Sequence, residues 1–201
     1  MSQPSTPQTA SDSMRGRILD TVGTLLQDTP WNRVSMREVA QGTGVSRQTV
    51  YNEFENRELL AKAYVLRETG RFMEAVDAVV TSNPDNPREA VRAAVNVFLT
   101  GAAHHPVLHR VAHGDWSDGL LEVALTPSEA QVVGIAVLQL RDVILRNWTQ
   151  IPDKAADNLA NGAVRLALSY AAMPIDPDDT DASTDAIMAI LNPVIDAAMQ
   201  P

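Results

Sequence analysis

Apolar residues recur along this chain at intervals of three and four, the spacing that lines one face of an α-helix. Ile18, Val22, Leu25 and Leu26 form the first such stripe behind Ser13, a candidate cap, and Pro30 ends it. Trp31 and Val34 then pack beneath the next element. Ser35 and Glu38 stand in the S-x-x-E spacing of a capping box, which starts a helix at Met36 with Met36, Val39 and Ala40 inward. Gly42 and Gly44 stop that helix in a tight turn. Ser46 caps another short helix, with Val45, Val50 and Phe54 inward and Arg47, Gln48, Thr49, Tyr51 and Asn52 on its other faces.

The pattern downstream predicts longer helices. Asn56 caps one that runs to about Val80, and at 1.5 Å per residue it spans about 35 Å. After the Ser82–Pro87 loop, Asn86 and Pro87 start a helix striped with Val91, Val95, Phe98, Leu99 and Ala102, which stops near His104. Residues 114–125 predict a short helix or an ordered loop. Thr126-Pro127-Ser128-Glu129 is a second capping box, and the helix it opens reaches about Asn147. Its apolar residues (Val132, Val133, Ile135, Val137, Leu138, Leu140, Val143, Ile144) lie almost all round, which predicts a central position. A seam of Ala156, Ala160, Ala163, Val164, Ala167, Leu168 and Ala171 marks the next helix and lets another helix approach closely. The last carries Ile187, Ile190, Leu191, Val194 and Ile195, with Pro193 expected to kink it. Residues 1–12 are mostly Ser, Thr, Pro and Gln, with no apolar stripe to bury, and predict a mobile tail.

Composition agrees with an all-α fold. The 201 residues are 45% hydrophobic but only 4% aromatic, enough to build a helical core. Cysteine is absent, which excludes disulfides, thiolate metal sites and cysteine catalysis and fits a cytoplasmic location. Neither a secretory leader nor an apolar run of membrane-spanning length is present, so no membrane association is expected. No glycine-rich phosphate loop, G-x-S-x-G elbow or H-E-x-x-H occurs, which argues against an enzyme. No cofactor is called for.

Two short capped helices joined by a glycine turn make a helix-turn-helix, whose second helix enters the DNA major groove. The runs Ser35-Met36-Arg37-Glu38-Val39-Ala40, Gly44-Val45-Ser46, Thr49-Val50-Tyr51-Asn52-Glu53-Phe54 and Asn56-Arg57-Glu58-Leu59-Leu60 resemble the N-terminal domain of TetR-family transcriptional regulators. Two positions depart from the family pattern: Gly42 stands where a helix former is usual, and Arg57 replaces the commoner lysine. The resemblance implies a three-helix DNA-binding domain over residues 13–58, a ligand-binding and dimerisation domain over 59–201, a double-stranded operator, a homodimer and a small-molecule inducer. It further implies Tyr51 and Arg57 on phosphate, Ser35 at a helix N-terminus facing phosphate, and Arg37 at the groove floor or backbone. From side-chain chemistry, Arg47 suits a guanine edge, Gln48 an adenine, and Thr49 a thymine methyl or a phosphate, with Asn52 beside them.

Charge keeps a second class open. The net charge of −9 is unusual for a DNA binder, yet residues 1–80 carry nine Lys/Arg against ten Asp/Glu, and the acid lies in residues 81–201. A near-neutral head is also compatible with a dimeric interaction or scaffold protein that reads no operator. Candidate pocket residues in the body are Phe72, Met73, Val76, Phe98, Leu99, His105, Leu138 and Trp148, whose mostly uncharged character suits an apolar or amphipathic inducer. All four histidines, His104, His105, His109 and His113, fall within HHPVLHRVAH next to Asp115. Pro106 interrupts their four-residue spacing, so no metal site is predicted, while a ligand-facing or pH-sensitive histidine and a solvated junction both stay open. The helices around residues 154–172 and 183–199 are expected to pair with their two-fold mates.

Overall fold

The computed structural model describes residues 13–113, 115, 117–124, 129–176 and 178–199. Every regular element among them is a helix, apart from one isolated bridge between Asp176 and Asp179. The expected tail, Trp116 and the Thr126-Pro127-Ser128 part of the second capping box lie outside the described residues. No helix among the described residues is long and apolar enough to cross a membrane.

The chain divides into two units. One, the head, is Met1–Arg67 with Trp116–Ala124; the other, the body, is Glu68–Asp115 with Leu125–Pro201. The head therefore runs past residue 58 and takes in a segment from late in the sequence.

In the head, α1 (Met14–Asp28) is capped by the Ser13 hydroxyl, which accepts the Gly16 N–H at 3.0 Å, and buries Ile18, Leu19, Val22 and Leu26. A 3₁₀ turn, Trp31–Arg33, leads to α2 (Met36–Thr43), where both halves of the Ser35–Glu38 capping box are formed. Such a cap is worth about 1 kcal/mol. Gly42 lies inside α2 and does not end it. A Cβ there would stand 2.7 Å from the Thr21 methyl, so this glycine lets α1 and α2 approach closely. The stop is Gly44 alone, at φ 74°, with its N–H and that of Val45 bonding back to Ala40 and Gln41 carbonyls. α3 (Arg47–Phe54) buries Val50 and Phe54. α4 (Arg57–Thr81) begins on Asn56, whose side chain accepts the Leu59 N–H at 2.8 Å. Its first turns stay with the head: Tyr64 packs on Gly23 of α1, and Arg67 reaches the Gly16 carbonyl (3.0 Å) and Asp20 (2.9 Å). α7 (Leu120–Ala124) completes the unit with Leu120 and Leu121 fully buried.

In the body, the rest of α4 is joined by α5 (Pro87–His104), α6 (Pro106–His113), α8 (Glu129–Asn147), α9 (Asp153–Ala172) and α10 (Thr180–Met199). Val76, Val80, Val91, Val95, Leu99, Ile144, Leu159, Ile187 and Leu191 share one core. Pro193 sits within α10 without ending it.

One expectation changes here. α8 is not central: Ile135 and Leu138 are 48% and 61% exposed, and among its described side chains only Val143 and Ile144 near its C-terminal end are buried. An all-apolar surface predicts burial but not that the covering partner comes from the same chain. Of the α9 seam, Ala156, Ala160, Ala163 and Ala167 are buried inside the body, where Leu191 of α10 closes on Gly162, while Val164, Leu168 and Ala171 stay half-buried. Exposed large apolar residues of the body lie on α8, on α10 through Ile190 and Val194, and at Met173 and Ile175 between α9 and α10.

Candidate functional site

α3 is built to show its polar side chains. Ser46 accepts the Thr49 N–H at 3.1 Å and fixes the first turn, while Val50 and Phe54 anchor the helix in the head. Arg47, Gln48, Tyr51 and Asn52 are left exposed and Thr49 half-buried. Gln48 donates to the Asn52 Oδ1 at 2.9 Å, so these two side chains are held as a pair along the helix. The Thr49 hydroxyl lies 2.8 Å from that of Ser46. Arg15 of α1, missed by pattern reading, supports the far end by donating to the Glu53 carbonyl and stacking 4.1 Å from the Phe54 ring centre.

Ser35 and Arg37 lie exposed at the start of α2. The Ser35 hydroxyl and then its N–H hold the Glu38 carboxyl below the usual glutamate range, with the Arg37 charge adding to them. That hydroxyl is committed to Glu38, at 2.7 Å, so an anion at this helix end would meet the remaining first-turn N–H groups.

Arg57 is placed differently from its expected phosphate contact. Its Nε donates to the Val34 carbonyl at 2.8 Å, a second nitrogen donates to the Trp31 carbonyl, and the guanidinium lies 4.3 Å from the Trp31 ring centre. Burial pulls its pKa down, and the Asp118 carboxylate opposes that. The side chain is turned into the head, where it clamps the turn ahead of α2.

In the body, Phe72 and Phe98 meet edge to face at 5.8 Å, both half-buried, with Met73 also half-buried. Val76, Leu99 and Trp148 are core; the indole N–H of Trp148 donates to the Pro84 carbonyl at 2.8 Å. Leu138 does not join them, being 61% exposed, and Val137 and Leu140 pack on the core in its place. One residue is about 100° of helix rotation, a difference that an all-apolar stretch does not encode. His105 is half-buried with both ring nitrogens engaged: Nδ1 takes the Val107 N–H (3.3 Å) and Nε2 faces Glu68 (3.1 Å). His109 and His113 stack at 4.1 Å on α6, which Pro106 begins. Burial first, then the charges of His113 and Arg110, push the His109 pKa below the usual histidine value, against Asp115. Among the described residues, no three His, Asp or Glu side chains are grouped to hold a metal ion.

Residues 18–64 match the family of bacterial regulatory proteins of the TetR type, and residues 86–193 match the C-terminal domain of bacterial tetracycline repressors. The chain is 33% identical over 165 residues to the HTH-type transcriptional regulator AlkX of Mycobacterium tuberculosis, covering 82% of this chain and 78% of that protein. The crystal structure of the AlkX repressor of Dietzia sp. strain DQ12-45-1b, implicated in biodegradation of n-alkanes, superposes with a TM-score of 0.63. It is 27% identical and covers 93% of this chain and 100% of its own. AibR, solved with isovaleryl coenzyme A and operator DNA, shares the fold at a TM-score of 0.59 and 19% identity, over 90% of this chain and 99% of its own. A capped helix-turn-helix with an exposed polar α3, an all-helical body and these two domain matches lead to one conclusion: the chain belongs to the TetR family of DNA-binding transcriptional regulators.

Proposed function

We propose that this protein is a homodimeric repressor that leaves a palindromic operator when a small apolar or amphipathic ligand enters its body. The observation that carries the reading is α3, which turns Arg47, Gln48, Tyr51 and Asn52 outward from a helix fixed by Val50 and Phe54. In this reading Arg47 pairs bidentately with a guanine, the Gln48–Asn52 pair reads an adenine, and the Thr49 methyl meets a thymine. Tyr51, Arg37 and the first turn of α2 at Ser35 meet phosphate, while Arg57 positions that turn. The ligand lies against Phe72, Met73, Phe98 and His105, with Val76, Leu99 and Trp148 as the rigid wall behind. α9 and α10 form the dimer face, through the half-buried side of α9 and the unburied Ile190 and Val194 of α10, with the exposed apolar residues of α8 beside them. Support for a ligand of this class also comes from the fold-sharing AibR, which was solved with an acyl coenzyme A and with operator DNA.

The test is a mobility shift on the DNA upstream of the protein's own coding region, read against salt. The expected result is a specific complex whose affinity falls steeply with salt and exceeds that for random DNA by at least 10³-fold. Equal affinity for both DNAs would favour a scaffold role instead.

A further inference from the structure

The head contains a segment that reading DNA with a helix-turn-helix does not require. Asp118, only 6% exposed, comes from 87 positions beyond Trp31 and accepts its N–H at 2.9 Å through Oδ2. Its other oxygen accepts the Leu120 N–H at 3.0 Å. Trp31 opens the 3₁₀ turn that runs through Val34 into Ser35, the cap of α2. Arg57 closes the same turn from its carbonyl side, bonding to Trp31 and Val34 and covering the indole. A carboxylate on the first N–H and a guanidinium on the carbonyls thus hold one short turn, and nothing in residues 13–67 supplies the carboxylate's half of that clasp.

We infer that Asp118 is a positioning residue for DNA binding: it fixes the Trp31–Val34 turn, and through it the start of α2. This rests on the DNA-binding reading above. It also gives the body a second covalent route into the head. α4 is one, crossing the division at Arg67–Glu68; residues 117–124 are the other, since the chain leaves the body after Asp115 and re-enters it at Leu125. An asparagine at position 118 keeps one acceptor oxygen and so satisfies only one of the two N–H groups, while its NH₂ opposes the other.

Asp118→Asn and Asp118→Ala in the full-length protein test this by two independent readouts. In amide spectra, the Trp31 N–H of the parent is displaced downfield by its charged acceptor. In the variants that shift is lost, and hydrogen exchange over residues 31–38 quickens about tenfold while α9 and α10 keep their protection. On the upstream DNA probe Kd rises about tenfold, the equivalent of one charge-assisted hydrogen bond, with the solution mass unchanged. Unaltered Trp31 shift and exchange in both variants would overturn the inference, as would parent-like affinity for DNA that the parent binds. Exchange quickening throughout α9 and α10 would overturn it too, by marking Asp118 as a residue of general stability. A parent that ignores the probe would instead remove the functional reading beneath it, and the inference with it, while the amide shifts still report whether Asp118 holds Trp31.

Discussion

Arg57→Ala separates two roles that the sequence does not distinguish. As a phosphate contact, Arg57 would contribute to operator affinity and little to folding. As placed here, it donates to the Val34 carbonyl at 2.8 Å and to the Trp31 carbonyl, and lies 4.3 Å from the indole ring centre. Hydrogen bonds from a charged donor are worth about 1.5–3 kcal/mol each, and a cation over an aromatic ring about 0.5–1 when partly exposed. The site is half-buried, so water replaces part of what is lost, and a total of about 2–3 kcal/mol is expected. For a chain of this length, that is a fall in melting temperature of roughly 5–10 °C, measured at fixed protomer concentration because a dimer's melting depends on it. Arg57→Lys keeps the charge but not the fork, so it recovers little of the loss. The slope of log affinity against log salt stays at the parent value in both variants, whereas losing a phosphate contact would lower it by about 1. Parent-like melting together with a slope reduced by about 1 would refute the clamp.

Three further outcomes follow from local geometry. Gly42→Ala forces a Cβ to 2.7 Å from the methyl of Thr21, whose hydroxyl is tied to the Arg17 carbonyl and lies beside Thr43; thermal melting should show a loss of about 1–2 kcal/mol, relieved in the double variant with Thr21→Ser. Glu55 closes α3 at φ 52°, so Glu55→Gly should raise stability by about 1 kcal/mol in urea titration without altering solution mass. The lowered pKa of His109 means that the unfolded chain binds the proton more readily. Its contribution to stability is therefore complete above the ordinary histidine pKa and is lost as pH falls through about 6.5 toward the folded value, and His109→Gln should flatten that part of a stability–pH profile.

The head was legible where its signals are local. Ser35 and Glu38 sit one helical turn apart, Gly44 must adopt φ > 0, and Asn56 caps within three residues, so each carries its own evidence. The Trp31–Asp118 bond joins residues 87 apart, and no local pattern announces it. Arg57 was legible as a cation at a fixed place, but its direction is decided by the Val34 and Trp31 carbonyls that the fold brings beneath it. In the body, caps and stripes gave α5 with its Asn86–Pro87 start. They did not separate Val137 from Leu138, nor the seam residues buried inside the chain on α9 from an unburied surface on α8, because apolarity measures the need for cover and not its source.

The central claim is that α3 reads base sequence through the side chains it turns outward. It is tested most directly by Arg47→Ala, with affinity for the upstream operator and for random DNA measured side by side at one salt concentration. The account predicts that discrimination between the two falls by about 1–3 kcal/mol while the solution mass and melting stay as in the parent. Parent-like discrimination by Arg47→Ala would contradict it.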